Sequence, residues 1–128
     1  MTAPRILVVE DNPLNLKLVR DVLQVAGYEV VEARSGEEGV ELAGDLFPDL
    51  VLMDLQLPGM DGSEALRHLR EDPRLSGVPV VAVTAFAMKE DRERAYLAGF
   101  DGYLEKPISV RALPDQIRGF LGSGPSDD

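Results

Sequence analysis

Leu50-Val51-Leu52-Met53-Asp54 decides the fold. The run is apolar without alternation and closes on a carboxylate. It opens a loop at Gln56-Leu57-Pro58-Gly59-Met60-Asp61-Gly62. An apolar run of this kind is the signature of a strand buried on both faces, as in parallel sheets. Open α/β sheets place their chemistry beyond the carboxyl ends of such strands, where Asp54 stands. Other runs repeat the arrangement. Ile6-Leu7-Val8-Val9 ends in Glu10-Asp11, Val78-Pro79-Val80-Val81-Ala82-Val83 ends in Thr84, and a shorter run ends in Lys106-Pro107. Four strand ends thus deliver an acid pair, an acid, a hydroxyl and an ammonium.

Working outward, strand and helix alternate five times. The pattern predicts strands at 5–10, 29–33, 50–54, 78–84 and 102–105. Helix one follows Asn12 as N-cap with Pro13 in its first turn. Its apolar positions Leu14, Leu18, Val22 and Val19, Leu23, Ala26 recur at helical spacing, and Gly27 closes it. Ser35 and Glu38 form a capping-box pattern for helix two. Helix three is expected over 63–71, stopped by Asp72-Pro73. Helix four is expected over 89–98, closed by Gly99, and helix five over 110–121. Strands separated by helices imply right-handed crossovers and a parallel sheet, so the expected fold is a doubly wound α/β domain. One domain spans 5–121. The composition of 122–128 is that of a disordered tail.

The 128 residues suit a single domain with a real core, and 45% hydrophobic against 28% charged residues marks a globular chain. No apolar stretch approaches the ~20 residues of a membrane span. The start Met1-Thr2-Ala3-Pro4-Arg5 lacks a signal-peptide layout. There is no cysteine, which excludes disulfides and zinc–thiolate sites. These features lead to an expected cytoplasmic location. A net charge of −10 speaks against gripping a phosphate backbone and fits a protein partner or a bound cation. The same acidity also serves solubility alone.

Glu10-Asp11, Asp54, Thr84 and Lys106-Pro107 together resemble the signature of the response-regulator receiver domain of two-component signalling, the CheY-like superfamily. The resemblance covers 5 to about 121. The stretches Val9-Glu10-Asp11-Asn12-Pro13-Leu14-Asn15 and Val80-Val81-Ala82-Val83-Thr84-Ala85-Phe86-Ala87-Met88-Lys89 look most like stand-alone DivK-type receivers and the receivers of hybrid histidine kinases. The resemblance implies a flavodoxin-like sheet of strand order 2-1-3-4-5 with five helices.

It also implies roles for named residues. Asp54 is the phosphoryl acceptor, a carboxylate nucleophile that forms an acyl phosphate. Glu10, Asp11 and Asp54, with the backbone carbonyl of Gln56, hold Mg2+ or Mn2+, and Glu10 acts through water. Lys106 sets its ammonium on the Asp54 carboxylate before transfer and on a phosphoryl oxygen after it. Lys106–Pro107 is a candidate cis peptide. Thr84 donates its hydroxyl to the phosphoryl group, Ala85 leaves room for it, and Tyr103 is the aromatic that rotates when Thr84 moves. Other readings of these residues stay open. Asp54 also suits a loop-start cap, Glu10 and Asp11 suit caps of helix one, and Lys106 suits a surface. Thr84 is a good strand residue, and Tyr103 suits a strand edge. His68, on helix three away from the strand ends, reads as a surface residue and not as a phosphohistidine.

The expected function is a phosphorylation-controlled switch. A phosphohistidine on a histidine kinase or phosphotransfer protein donates to Asp54, and the acyl phosphate biases a two-state equilibrium. The kinase docks around Leu14, Asn15, Leu18 and Pro107. The face of helix four, strand five and helix five, with Phe86, Met88, Arg92, Tyr103 and Val110, binds the downstream protein. Nucleic acid and membrane are not expected partners, and the chain is expected to be a monomer or weak dimer. Catalysis is limited to its own phosphotransfer and autodephosphorylation, which Gln56 and Phe86 are placed to tune. The Met1 start and short acidic tail favour a free-standing regulator over a receiver cut from a hybrid kinase. A phosphorylation-independent pseudo-receiver is the other alternative. A haloacid-dehalogenase phosphatase needs a second aspartate where Gln56 stands. A flavodoxin needs a Ser/Thr/Gly-rich phosphate loop where this chain is acidic.

Overall fold

The computed structural model describes residues 3–57, 59–85 and 88–121. Pro58 and Phe86, placed by the sequence in the loop and on the partner face, and the tail 122–128 lie outside the described residues. The elements alternate without exception: β1 (Arg5–Val9), α1 (Pro13–Val25), β2 (Glu29–Ala33), α2 (Gly36–Leu46), β3 (Leu50–Asp54), α3 (Gly62–Glu71), β4 (Val80–Thr84), α4 (Lys89–Ala98), β5 (Gly102–Glu105) and α5 (Leu113–Leu121). The five strands pair in parallel in the order β2-β1-β3-β4-β5. This is the doubly wound, flavodoxin-like architecture that the resemblance implied.

Alternation along the strands divides the core in two. Leu7, Val9, Val51, Met53, Val80 and Ala82 point to one face and pack with Ala43 of α2, Leu66 of α3 and Ala95 of α4. Ile6, Val8, Leu50, Leu52, Val81 and Val83 point to the other, against Leu16, Val19 and Leu23 of α1 and Leu113 and Ile117 of α5. Every residue of β3 and β4 is buried, which is why those strands read as continuous apolar runs.

The helix starts are set by side chains. Asn12 Oδ1 accepts from the backbone N–H groups of Leu14 and Asn15 at 2.9 and 3.1 Å. Ser35 Oγ accepts from Glu38 N at 3.1 Å, while Glu38 Oε1 reaches back to Arg34 N at 2.8 Å, one residue before the cap. Asp61 caps α3 through Glu64 N at 2.9 Å. Gly27 and Gly99 follow α1 and α4 with φ of 99° and 112°, conformations that a side chain resists.

The structure corrects several expected boundaries. β1 ends at Val9, so Glu10 belongs to the loop. β4 begins at Val80 rather than 78, because Pro79 has no N–H to give a ladder. α3 starts at Gly62, where Cβ would lie 2.9 Å from the Asp54 carbonyl oxygen and 2.7 Å from Leu55 Cδ2; only glycine admits this approach. A 3-10 turn at Pro73–Leu75, absent from the sequence reading, follows α3. α5 begins at Leu113, not 110. Ser109 caps the preceding turn through Ala112 N, and Pro114 has no N–H to continue the ladder. On α1 the buried residues are Leu16, Val19 and Leu23, whereas Leu14 is 78% exposed and Leu18 is also exposed. Leu14 and Leu18 therefore stand outside the core, while Val22 packs against it partly buried.

At the edge of the sheet remote from Asp54, one arginine ties three segments together. Arg70 donates to the carbonyls of Val78 and Leu75 at 2.9 and 3.2 Å and to Asp101 Oδ2 at 2.7 Å. Asp101 Oδ2 also accepts from Val80 N at 2.8 Å, so the clasp fixes the starts of β4 and β5. Arg70→Ala should cost about 2 kcal/mol, typical for several hydrogen bonds to a charged group. Urea denaturation checks this. Asp101→Ala should add less in the Arg70→Ala background than alone, since both act in one network.

Candidate functional site

The register of the sheet brings the chemistry to one edge. Val9 pairs with Met53, Asp54 with Val83 and Thr84 with Glu105. The next residue along β1 is therefore Glu10, beside the end of β3, and the next along β5 is Lys106, one strand beyond β4. Backbone bonds hold these ends in place: Glu10 N to Ala33 O at 2.9 Å, Leu55 N to Val83 O at 3.0 Å and Lys106 N to Thr84 O at 2.8 Å.

Asp54 is 2% exposed and Glu10 5%, an expensive position for two carboxylates. Lys106 compensates both. Its Nζ lies 2.9 Å from Asp54 Oδ2 and 3.1 Å from Glu10 Oε1. The remaining carboxylate oxygens are also engaged. Gln56 N donates to Asp54 Oδ1 at 2.8 Å, and Asn12 N donates to Glu10 Oε2 at 3.0 Å. Burial pushes the Glu10 carboxyl up, aided by the Asp54 charge and opposed by the Asn12 N–H and Lys106. Burial works to lower the Lys106 ammonium, but its hydrogen bonds to Asp54 and Glu10 and their charges overcome this and raise it.

Asp11 is exposed at the rim. Glu10, Asp11 and Asp54 each offer a carboxylate oxygen, and these oxygens all lie within 4.8 Å of one another. An all-oxygen, trianionic set of this size suits a hard divalent cation rather than a soft transition metal.

Thr84 is 1% exposed at the end of β4, and its Oγ1 accepts from Gln56 Nε2 at 3.1 Å. Tyr103 is half-buried on β5 with the Arg92 guanidinium 5.8 Å from its ring centroid. Burial raises the Tyr103 phenol, with the Asp91 charge adding and Arg92 subtracting. The Lys106–Pro107 peptide is cis. His68 stands apart from the cluster on α3, with Nδ1 3.6 Å from Glu71.

Asn15, Leu18, Val19, Ala85, Lys106, Pro107 and Ile108 line a groove of about 250 Å³ beside the acid cluster. On the opposite flank, Met88, Arg92 and Val110 are exposed, as are Tyr96 and Leu97, the latter at 89%. α4 buries Ala95 alone among its residues. Among the contacts not anticipated from the sequence are Lys106 to Glu10 and the Gln56 amide to Thr84. The residues of the second pair stand 28 positions apart, and no local pattern joins them.

The family model described as "Response regulator receiver domain" matches residues 6–118. The polar-differentiation response regulator DivK of Brucella ovis is 48% identical over 117 residues, 91% of this chain and 95% of the relative. Among solved structures, the receiver domain of a sensor histidine kinase from Pseudomonas aeruginosa, with a magnesium ion coordinated in its active site cleft, superposes with a TM-score of 0.87. It is 36% identical, over 95% of this chain and 100% of that one. Chemotaxis protein CheY4 of Vibrio cholerae gives a TM-score of 0.88 at 26% identity, covering 93% and 99% of the two chains.

Removing the lysine tests the electrostatic account. Lys106→Met leaves two buried carboxylates facing each other and should cost about 3 kcal/mol at pH 8, the low end of the range for breaking a buried ion pair. Glu10 is raised in the fold, so its folded state favours the proton. That contribution is present at low pH and is lost as pH rises through the folded value. The deficit of Lys106→Met should therefore shrink toward pH 5, and a millimolar divalent cation should restore stability more in the variant than in wild type. Urea titrations at the two pH values, with and without the cation, check this.

Proposed function

The chain belongs to the response regulator receiver domain family, and from that premise we propose that it is a single-domain response regulator that accepts a phosphoryl group on Asp54 from a phosphohistidine. One observation carries the reading. A buried carboxylate at a strand end is held by Lys106 at 2.9 Å beside two further acids whose oxygens converge within 4.8 Å. The family is one of signalling proteins rather than classical enzymes, and the only chemistry proposed for the chain is its own phosphotransfer and autodephosphorylation.

The donor is a histidine kinase or a histidine phosphotransfer protein. An Asp54 oxygen forms the new bond to phosphorus as the bond to the imidazole nitrogen breaks, and the imidazole leaves and takes up a proton. Asp11, Asp54 and the Gln56 carbonyl would hold Mg2+, with Glu10 acting on it through water; the oxygen-only donor set fits that ion. The ion's chemistry is charge neutralisation on the transferring group. Lys106 releases Asp54 and pairs with a phosphoryl oxygen. Its charge on a flexible stem serves both states. The buried Thr84 hydroxyl donates to another phosphoryl oxygen, and Tyr103 turns as Thr84 moves.

The acyl phosphate biases a two-state equilibrium whose output is protein binding. The donor approaches the groove at Leu18 and Pro107, with Leu14 exposed beside it. The downstream partner takes the face of α4, β5 and α5, where Met88, Arg92 and Val110 are exposed. Coverage of 95% of the DivK relative's length supports a stand-alone regulator of this size. Among the described residues no helix is long and apolar enough to cross a membrane, which is compatible with the proposed cytoplasmic location. We place the protein there as a monomer or weak dimer.

Incubation with Mg2+ and acetyl phosphate, read by intact mass, tests the acceptor. The expected result is one phosphoryl addition, lost without Mg2+ and lost in Asp54→Ala. Addition that survives in Asp54→Ala would sink the assignment.

A further inference from the structure

We propose that Gln56 is a positioning residue that latches the Thr84 hydroxyl in the unphosphorylated protein; the proposal rests on the phosphoacceptor reading above. Gln56 spans the two ends of the device. Its backbone N–H holds Asp54 Oδ1 at 2.8 Å, and its side-chain amide holds Thr84 Oγ1 at 3.1 Å. Asp54 and Thr84 end adjacent strands, so the loop residue between them stitches acceptor and hydroxyl together.

The contact has a defined cost of release. Thr84 is 1% exposed, so water does not readily replace the amide as a partner. Gln56 itself is exposed, and with Thr84, Ser63, Asp91 and Arg94 it lines a cavity of about 250 Å³ under α4. The amide therefore has room to swing once another acceptor competes for it. A phosphoryl group on Asp54 brings such acceptors, because its oxygens take a hydrogen bond from a hydroxyl and from an amide alike. The latch then opens as both donors turn to one new group. α4, which buries only Ala95, is the element above this cavity and the one least held by its own packing.

Thr84 itself reports the outcome. Its χ1 distribution is read from three-bond couplings, and its methyl from carbon–proton spectra, in the full chain. The reference endpoint is wild type treated with Mg2+ and acetyl phosphate. Gln56→Met keeps the length and bulk of the side chain and removes the donor, and its exposed position tolerates the exchange. In unphosphorylated Gln56→Met the ratio of Thr84 rotamers should move about fivefold toward that endpoint, as expected for losing one hydrogen bond. Thr84→Ser keeps the hydroxyl, and its serine should show the same dependence on Gln56. Unmoved Thr84 couplings in Gln56→Met, with wild type responding to acetyl phosphate, would overturn the latch and leave the acceptor standing. A wild type whose mass shows no phosphoryl uptake from acetyl phosphate or from a phosphorylated histidine phosphotransfer protein fails the acceptor reading instead, and the switch role of Gln56 with it.

Discussion

The structure depends on one charge arrangement. Two carboxylates, Asp54 and Glu10, are buried at the end of a parallel sheet, and one ammonium, Lys106, lies 2.9 and 3.1 Å from them. Burying a carboxylate costs several kcal/mol unless it is paired and hydrogen-bonded. Here each acid has a backbone donor, and the two share one cation. The sheet order makes this possible. With β1 and β4 on either side of β3, and β5 beyond β4, the residues that end these strands converge at one edge.

This arrangement is poised rather than closed. Lys106 is a single positive charge between two acids, and Asp11 adds a third acid at the rim. The cluster as it stands is anionic, and a divalent cation and a phosphoryl group are the complementary additions. The opposite edge of the sheet is tied by Arg70 and Asp101, which hold the starts of β4 and β5. Stability is invested at one end of β4 and β5, while the other end carries a loosely packed α4 and the contact between Gln56 and Thr84.

Most of the fold was legible because β3 and β4 are buried on both faces, and burial on both faces writes itself as a continuous apolar run. Caps were legible where they are local, as at Asn12 and Ser35. Legibility failed where the deciding contact is distant or where proline alters a ladder. Pro79 and Pro114 moved the starts of β4 and α5. α1 carries apolar residues on more than one face, so periodicity alone did not separate the buried Leu16, Val19 and Leu23 from the exposed Leu14 and Leu18. At the site, Asp54 and its convergence with Glu10, Asp11, Thr84 and Lys106 could be read from strand ends. The amide of Gln56 could not, because its partner is fixed only when β3 and β4 pair.

The central claim is that the buried carboxylate of Asp54 takes the phosphoryl group from a phosphohistidine. The most direct measurement incubates the protein with Mg2+ and a phosphorylated histidine phosphotransfer protein, traps the acyl phosphate by borohydride reduction, and sequences the peptides by mass spectrometry. The account predicts conversion of residue 54, and of no other, from aspartate to homoserine. Reduction at another carboxylate, with Asp54 unchanged, would contradict it.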